Sequence, residues 1–361
     1  MLFSGTLLLL ISAPVTQALG KTITIQESFD ETCDALSNHQ DTANWELPVW
    51  QWGGDINGGV SPENVNCRKD PELGGVLQLF SHGDKYVGNG PIGTSHNGKA
   101  IVGSANWIGW KNVGYKHDCE PYCDVQRVGA SVRSKQAFTS VTVEAMIKPC
   151  PQFGAASTMF LYSYDEETCG DPAQPGIRNK CSTAYTKQCC INANCTIDPN
   201  GKVADVCRGT WVKNKEIDLE IPSSLQRGLK SVDPSLISFE NARMNSVTAF
   251  PWSYKHHTKC GVVNPCESDN FVDTGVNQAD GKFHKYTIVW DGVNSVEVFV
   301  DNVHKQTITG KQFVPTVDLA NGDKALQIIL AAWFPNAWAG SPEFSTCVTE
   351  VSSVNITGTV A

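Results

Sequence analysis

The chain has no run of basic residues, no apolar stretch long enough to cross a bilayer, no sustained helical period and no internal repeat. Each absence removes a class of protein. Acidic residues outnumber basic ones 37 to 28, for a net charge of −9, so nucleic acid and anionic membranes are poor electrostatic partners and a neutral polymer suits the chain better. The apolar segment Leu7–Ile11 is too short to span a membrane. It reads as the heart of a signal peptide over Met1–Gly20, with Thr16–Ala18 or Ala18–Gly20 as the small-residue cleavage site, although the usual basic start is missing. The end, Val354–Ala361, lacks the apolar tail that a glycolipid anchor requires. No low-complexity linker divides the remainder, so residues 21–361 are expected to form one secreted, monomeric domain.

Cysteine, by contrast, is abundant. Fourteen cysteines suit an oxidising compartment, where disulfides persist. Cys169, Cys181, Cys189, Cys190, Cys195 and Cys207 fall within Asp165–Gly209, a stretch with almost no apolar periodicity. It reads as a disulfide-stapled insertion rather than a thiolate metal site, because no pair of zinc-type C-x2-C knuckles is present. Spacing leaves the connectivity open; Cys119–Cys123 and Cys260–Cys266 are pairs that would close small loops. His82 and the pair His256-His257 have no third ligand at a recognisable spacing and read as surface-loop residues. Two sequons, Asn194-Cys195-Thr196 and Asn355-Ile356-Thr357, permit N-glycosylation.

Short alternating runs separated by turn residues account for most of the chain. Lys21–Gln26, Gly75–Ser81, Met159–Tyr164, Leu236–Phe250, Phe283–Trp290, Ser295–Val300, Ala325–Trp333 and Thr346–Thr357 all have strand character. Val132–Lys148 reads as two strands, the second alternating from Val141 to Ile147. Glu27–Asn44 is polar and is expected to wrap the surface, and His82–Tyr122 is loop-rich. The pattern predicts an all-β sandwich.

One strand carries chemistry. In Lys215–Ser224, K-E-I-D-L-E-I-P-S-S, Glu216, Asp218 and Glu220 alternate with Ile217, Leu219 and Ile221. A strand therefore puts three carboxylates on one face and three aliphatics on the other. The α-carbons of Glu216 and Glu220 would lie about 13 Å apart on a straight strand. Side chains leaning together over a concave sheet would bring the carboxyls to roughly 5–6 Å, the separation used by retaining glycosidases. Crowded like charges push pKa values apart, so that one Glu holds a proton while the other is ionised. Taken alone, the six residues also fit a half-buried strand whose solvent face is acidic.

E-I-D-L-E resembles the active-site strand of glycoside hydrolase family 16, and further motifs follow in the family's order. Trp52–Val65 (W-G-G-D-I-N-G-G-V-S-P-E-N-V) is similar to an amino-terminal stretch, and Phe138–Pro149 to a framework strand. Phe283–Asp291 and Val298–Asn302 resemble two late strands, and Leu330–Gly340 (L-A-A-W-F-P-N-A-W-A-G) the closing cleft segment. The resemblance implies a concanavalin-like β-jelly-roll sandwich of two antiparallel sheets with a concave substrate cleft, the Cys-rich insertion on its rim. It implies Glu216 as nucleophile, Glu220 as general acid/base and Asp218 as their helper. Trp211, five residues before Glu216, matches a laminarinase-like offset; Trp333 and Trp338 match the closing L-x-x-W and W-A-G positions; Asn245 of Met244-Asn245 matches a sugar-contacting Asn of lichenases. Trp252 is a further aromatic candidate from its loop position. Aromatic rings serve such grooves because a pyranose presents an apolar C–H face; the alternative for each Trp is a core side chain.

No cofactor is implied. Some members carry a structural calcium, whose ligands are not identifiable here. The E-x-D-x-E spacing lacks the extra bulge residue of laminarinases, E-x-D-x-x-E, and matches lichenases, xyloglucan enzymes and fungal wall transglycosylases, whereas Trp211 points to laminarinases. The expectation is a retaining endo-glycosidase of β-1,3 or mixed β-1,3/1,4-glucan. A wall-glucan transglycosylase and a non-catalytic glucan-binding or structural glycoprotein are the alternatives.

Overall fold

A computed structural model describes residues 20–48, 57–86, 127–168, 209–222, 239–247, 250–253, 256–257, 267–310, 313–335 and 342–361. The signal-peptide reading therefore lies outside the described residues but for Gly20, as do Trp338, Asn194, Cys119, Cys123, Cys260, Cys266 and the six cysteines of the insertion. Strand β1 (Thr22–Glu27) leads through the short helix α1 (Cys33–Ser37) to β2 (Trp45–Glu46), β3 (Asn57–Val60), β4 (Val65–Asp70) and β5 (Gly74–His82). Then come β6 (Arg127–Lys148), β7 (Ala156–Thr168), β8 (Gly209–Ile221), β9 (Asn241–Val247), β10 (Phe250–Ser253), β11 (His256–His257) and β12 (Glu267–Asp273). The last strands are β13 (His284–Trp290), β14 (Ser295–Val300), β15 (Val303–Thr309), β16 (Leu326–Trp333) and β17 (Thr346–Val360).

The pairings form a curled, almost wholly antiparallel ladder with two faces. In the outer face β17 pairs β6 on one side and β5 followed by β1 on the other; β4 extends it beyond β5, and β13, β14 and β15 beyond β6. The inner face runs β6–β16–β7–β8–β9–β12, with β10 and β11 beside the start of β8. Strands β2 and β3 also pair β6, β3 in parallel.

Strand β6 belongs to both faces, which corrects the expectation of two strands in Val132–Lys148. It is one strand of 22 residues, and its bend is made by a bulge. Register with β16 shifts between Gln327 and Ile329, opposite Ser134–Gln136. The Ser134 hydroxyl donates to the Gln136 carbonyl at 2.7 Å and accepts the Ile328 amide at 2.9 Å, satisfying groups that the interrupted ladder leaves over. Alternation breaks at the bulge, so one bent strand reads as two.

Between the faces lies the main core. The inner face contributes Ile217, Leu219, Met244 and Leu330, and the outer face Val143, Tyr286, Trp290 and Ile356, all essentially inaccessible to solvent. Such a sandwich needs side chains of the two faces to interdigitate over about 10 Å. The all-β jelly-roll reading holds.

Glu27–Asn44 lies over the surface as expected, with half of its residues exposed, but it is anchored to the interior. Phe29 and Leu36 are fully buried in the main core. The nearly buried Glu27 carboxylate accepts the Phe29 amide at 2.9 Å, the Thr32 hydroxyl at 3.1 Å and the Trp45 indole N–H at 3.2 Å, folding the segment back on itself. A disulfide, Cys33–Cys67, then fastens α1 to β4. Strands β4, β12 and β15 escape the sequence reading because their alternation is weak; β15, for example, is mostly exposed.

A second disulfide, Cys150–Cys347, joins the end of β6 to β17 across 197 residues of sequence, within a small cluster containing Ala155, Phe334 and Phe344. Closing a loop of that length restricts the unfolded chain, so the double variant Cys150→Ala/Cys347→Ala is expected to lose about 2–4 kcal/mol of stability. Urea unfolding under non-reducing conditions measures this. An unchanged midpoint would assign the pair no stabilising role.

Candidate active site

Strand β8 divides its side chains as alternation requires. Ile217, Leu219 and Ile221 are fully buried in the main core, while Glu216, Asp218 and Glu220 occupy the other face. That face is far from a freely solvated acidic surface: Asp218 is 5% exposed and Glu220 4%, with Glu216 half-buried. Charged groups are rarely buried without a compensating role. The ladders to β7 and β9 run without interruption past all three acids, so no bulge re-aims them.

Cross-strand register shows what surrounds the acids. Tyr162, Phe160 and Thr158 of β7 stand opposite Glu216, Asp218 and Glu220 respectively. Beyond them on β16, Gln327, Ile329 and Ala331 are opposite the same three β7 residues, and Trp333 is opposite Ala156. Phe160, Ile329 and Ala331 form a buried apolar cluster separate from the main core, with the half-buried Tyr162 and Trp333 packed against it. Three acids thus stand in a row beside an apolar floor. The Trp333 indole N–H donates to Thr158 Oγ1 at 2.9 Å, so its polar edge is satisfied while part of the side chain remains accessible.

The opposite side of β8 is held by charge. Lys215, adjacent to Glu216, is nearly buried; its ammonium pairs with Asp323 and donates to the Thr316 carbonyl. The segment supplying those partners is itself held at the Pro315 carbonyl, which accepts the Trp290 indole N–H at 2.9 Å. Core packing therefore reaches the residue next to the first acid.

Of the other candidates, Asn245 comes into register with Asp218 on β9. Trp211 lies on β8 in register with Glu167 and Pro251, and Trp252 lies on β10 in register with Thr210 and His257. The expected insertion boundary needs correction. Asp165–Thr168 are still β7 and Gly209 already β8, because the backbone ladder continues through Asp165–Lys213 to Thr168–Thr210 despite the polar side chains. The sequence reading missed Thr158, Phe160, Tyr162, Ile329 and Ala331. Met159–Tyr164 was legible as a strand, yet both its rows are largely apolar, so nothing local distinguished the site face from the core face.

The histidine readings also change. His256-His257 is strand β11, paired with β10, rather than loop. His82 ends β5 at 8% exposure, with Nδ1 2.9 Å from Thr346 Oγ1 and its ring stacked on Tyr86 at 3.8 Å. Burial pushes its pKa down from 6.5 to about 4. The unfolded chain then binds a proton that the folded chain refuses. This contribution to stability is intact above pH 6.5 and is lost as pH falls towards 4, by at most about 3 kcal/mol. Denaturant midpoints measured between pH 7 and 4.5 are expected to vary less in His82→Gln than in the unsubstituted protein; parallel curves would refute this. Among the described residues no group of three or more His, Cys, Asp or Glu is placed to hold a metal ion.

No protein-family model and no curated protein matches the chain. Among solved structures it is similar to a prokaryotic β-1,3-1,4-glucanase (lichenase) derived from a mouse hindgut metagenome, at 14% identity and a TM-score of 0.49, covering 93% of this chain and 99% of that one. A glycoside hydrolase family 16 protein of the Bacteroides ovatus mixed linkage glucan PUL, in complex with a G4G4G3G product, has 14% identity and a TM-score of 0.49, with 92% and 99% covered. The Bacillus licheniformis β-glucanase has 16% identity and a TM-score of 0.46, with 94% and 99% covered.

Proposed function

We propose that this chain is a secreted, retaining endo-glycosidase of the family 16 type, acting on β-1,3 or mixed β-1,3/1,4-glucan. One observation carries the reading: three alternating acids of a single unbulged strand, two of them almost fully buried, stand beside an apolar floor edged by an accessible tryptophan. A carboxylate row on a solvated face would need no such floor. A sugar polymer has both an apolar C–H face to stack and hydroxyls to hydrogen-bond.

In this mechanism Glu216 attacks the anomeric carbon as a carboxylate, and the glycosidic C–O bond breaks as Glu220 delivers its proton to the leaving oxygen. The covalent glycosyl–enzyme is then opened by water, whose proton returns to Glu220. Asp218, between the two on the same face, crowds a third carboxyl into the row; mutual repulsion favours keeping a proton among them, as the acid step requires. Trp333 supplies a stacking surface. The disulfides Cys33–Cys67 and Cys150–Cys347 support residence in an oxidising compartment.

Product analysis tests the reading. The purified protein is incubated separately with laminarin, mixed-linkage glucan, xyloglucan, chitin oligomers and agarose. Short oligosaccharides from laminarin or mixed-linkage glucan, with retained anomeric configuration at first release, are the expected result. Products longer than a starting oligomer would make the protein a transglycosylase. Tight binding to one polymer with no product from any would leave a glucan-binding protein.

A further inference from the structure

Strand β17 places Val354 and Ile356 in the main core, and alternation turns Asn355 and Thr357 to the solvent side of the outer face. Both are exposed. They are the first and third residues of the sequon Asn355-Ile356-Thr357. Local structure does not account for Asn355. Asparagine is depleted in strands, where β-branched residues fit the pleat better, and no hydrogen bond from its carboxamide to a described residue explains its presence. Its surroundings leave room. Gln26 of β1 and Glu144 of β6 stand opposite Asn355, Thr24 and Thr142 opposite Thr357, and Thr22 and Ser140 opposite Thr359. The surface beside the carboxamide is therefore paved mainly with short hydroxyl side chains, and Glu144 is engaged by the Lys285 ammonium at 2.9 Å.

We propose that Asn355 carries an N-linked oligosaccharide, on the side of the sandwich away from the row of acids. The donor is a lipid-diphosphate-linked oligosaccharide. The carboxamide nitrogen bonds C1 of its reducing-end sugar as the C1–O bond breaks; the lipid diphosphate leaves with the bonding electrons, and the nitrogen gives up one proton. A chain meets such a donor on entering the secretory pathway, and the disulfides Cys33–Cys67 and Cys150–Cys347 agree with that passage. Transfer precedes the folding of β17. Backbone pairing to β1 and β6 holds residues 354–357 on both sides, so a transferase cannot close around the sequon after the ladder has formed. In the folded protein the glycan adds a bulky, solubilising group to a face that takes no part in the proposed chemistry.

This inference is independent of the glycosidase reading. The full chain is placed behind the secretion leader of a eukaryotic host, so that entry does not depend on the signal-peptide reading of residues 1–20. Protein purified from the medium is treated with peptide-N-glycosidase in ¹⁸O-water, and mass spectrometry is expected to find an ¹⁸O-labelled aspartate at position 355. The label should be lost in Thr357→Ala and kept in Thr357→Ser, which retains the hydroxyl. Asn355→Gln should lower the intact mass by one glycan. An unlabelled position 355 in the secreted protein, a label that survives Thr357→Ala, or a glycan mass removed by Asn194→Gln but untouched by Asn355→Gln would overturn the site. Unmodified chain, secreted while synthesis of the lipid-linked donor is blocked, is expected to accept sugar from transferase and donor only after reduction and unfolding. Equal transfer to the folded protein would overturn the proposed order of events.

Discussion

Glu216→Gln is expected to reduce oligosaccharide release by at least about 10³-fold with the fold intact, because in the proposed mechanism Glu216 is the group that forms the covalent intermediate. The near-isosteric amide keeps the hydrogen-bonding shape of the strand, so glucan binding should survive while turnover does not. The chemical assignment follows from two truncations. Glu216→Ala with added azide is expected to yield a glycosyl azide of inverted configuration, since the small anion enters the space of the missing nucleophile. Glu220→Ala is expected to lose about 10²–10⁴-fold on substrates with poor leaving groups, and azide should intercept its glycosyl–enzyme to give the retained configuration. The inverted product from Glu220→Ala alone would reverse the two roles. A Glu216→Gln variant as active as the unsubstituted protein would remove the strand from catalysis altogether.

Trp290→Ala is expected to be the most damaging single truncation for stability, at about 3–5 kcal/mol. The ring is 1% exposed at the end of β13, packed in the main core, and its N–H bonds the Pro315 carbonyl. Removal leaves both a cavity and an unanswered carbonyl, and the melting temperature should fall by roughly 4–7 °C. Trp290→Phe retains most of the packing but not the donor, so a smaller loss is expected and the difference apportions the two causes. Calorimetry or denaturant melts at constant pH would measure both, and a loss below about 1 kcal/mol for Trp290→Ala would mean that the site collapses around the gap. Because Pro315 adjoins Thr316, whose carbonyl binds the Lys215 ammonium, the folded Trp290→Ala variant offers a way to ask how far core packing supports the residue beside Glu216.

Much of the fold is local information. A strand with one buried face records that face in its own alternation, so β13, β14 and β16 were legible to within a residue or so, as was the division of β8 into an apolar and an acidic row. Edge strands such as β15 bury little and carry no such record. Strand β6 was misread for a related reason: a bulge resets the period, and only its shared pairing with β13, β16 and β17 reveals continuity. His82 looked like a loop residue because nothing in its neighbours announces that Thr346, 264 positions later, closes over it.

The all-β class, the three acids and their common face are local properties of the chain, since each depends on a period of two residues along one strand. Which residues meet those acids is a matter of how distant strands pair. Phe160, Ile329 and Ala331 become a floor, and Thr158 comes opposite Glu220, through cross-strand register. Register is set where the inner-face row of every strand finds the same core, and a shift of one residue would have turned the acids inward and the floor away. That choice is collective, and no single strand contains it.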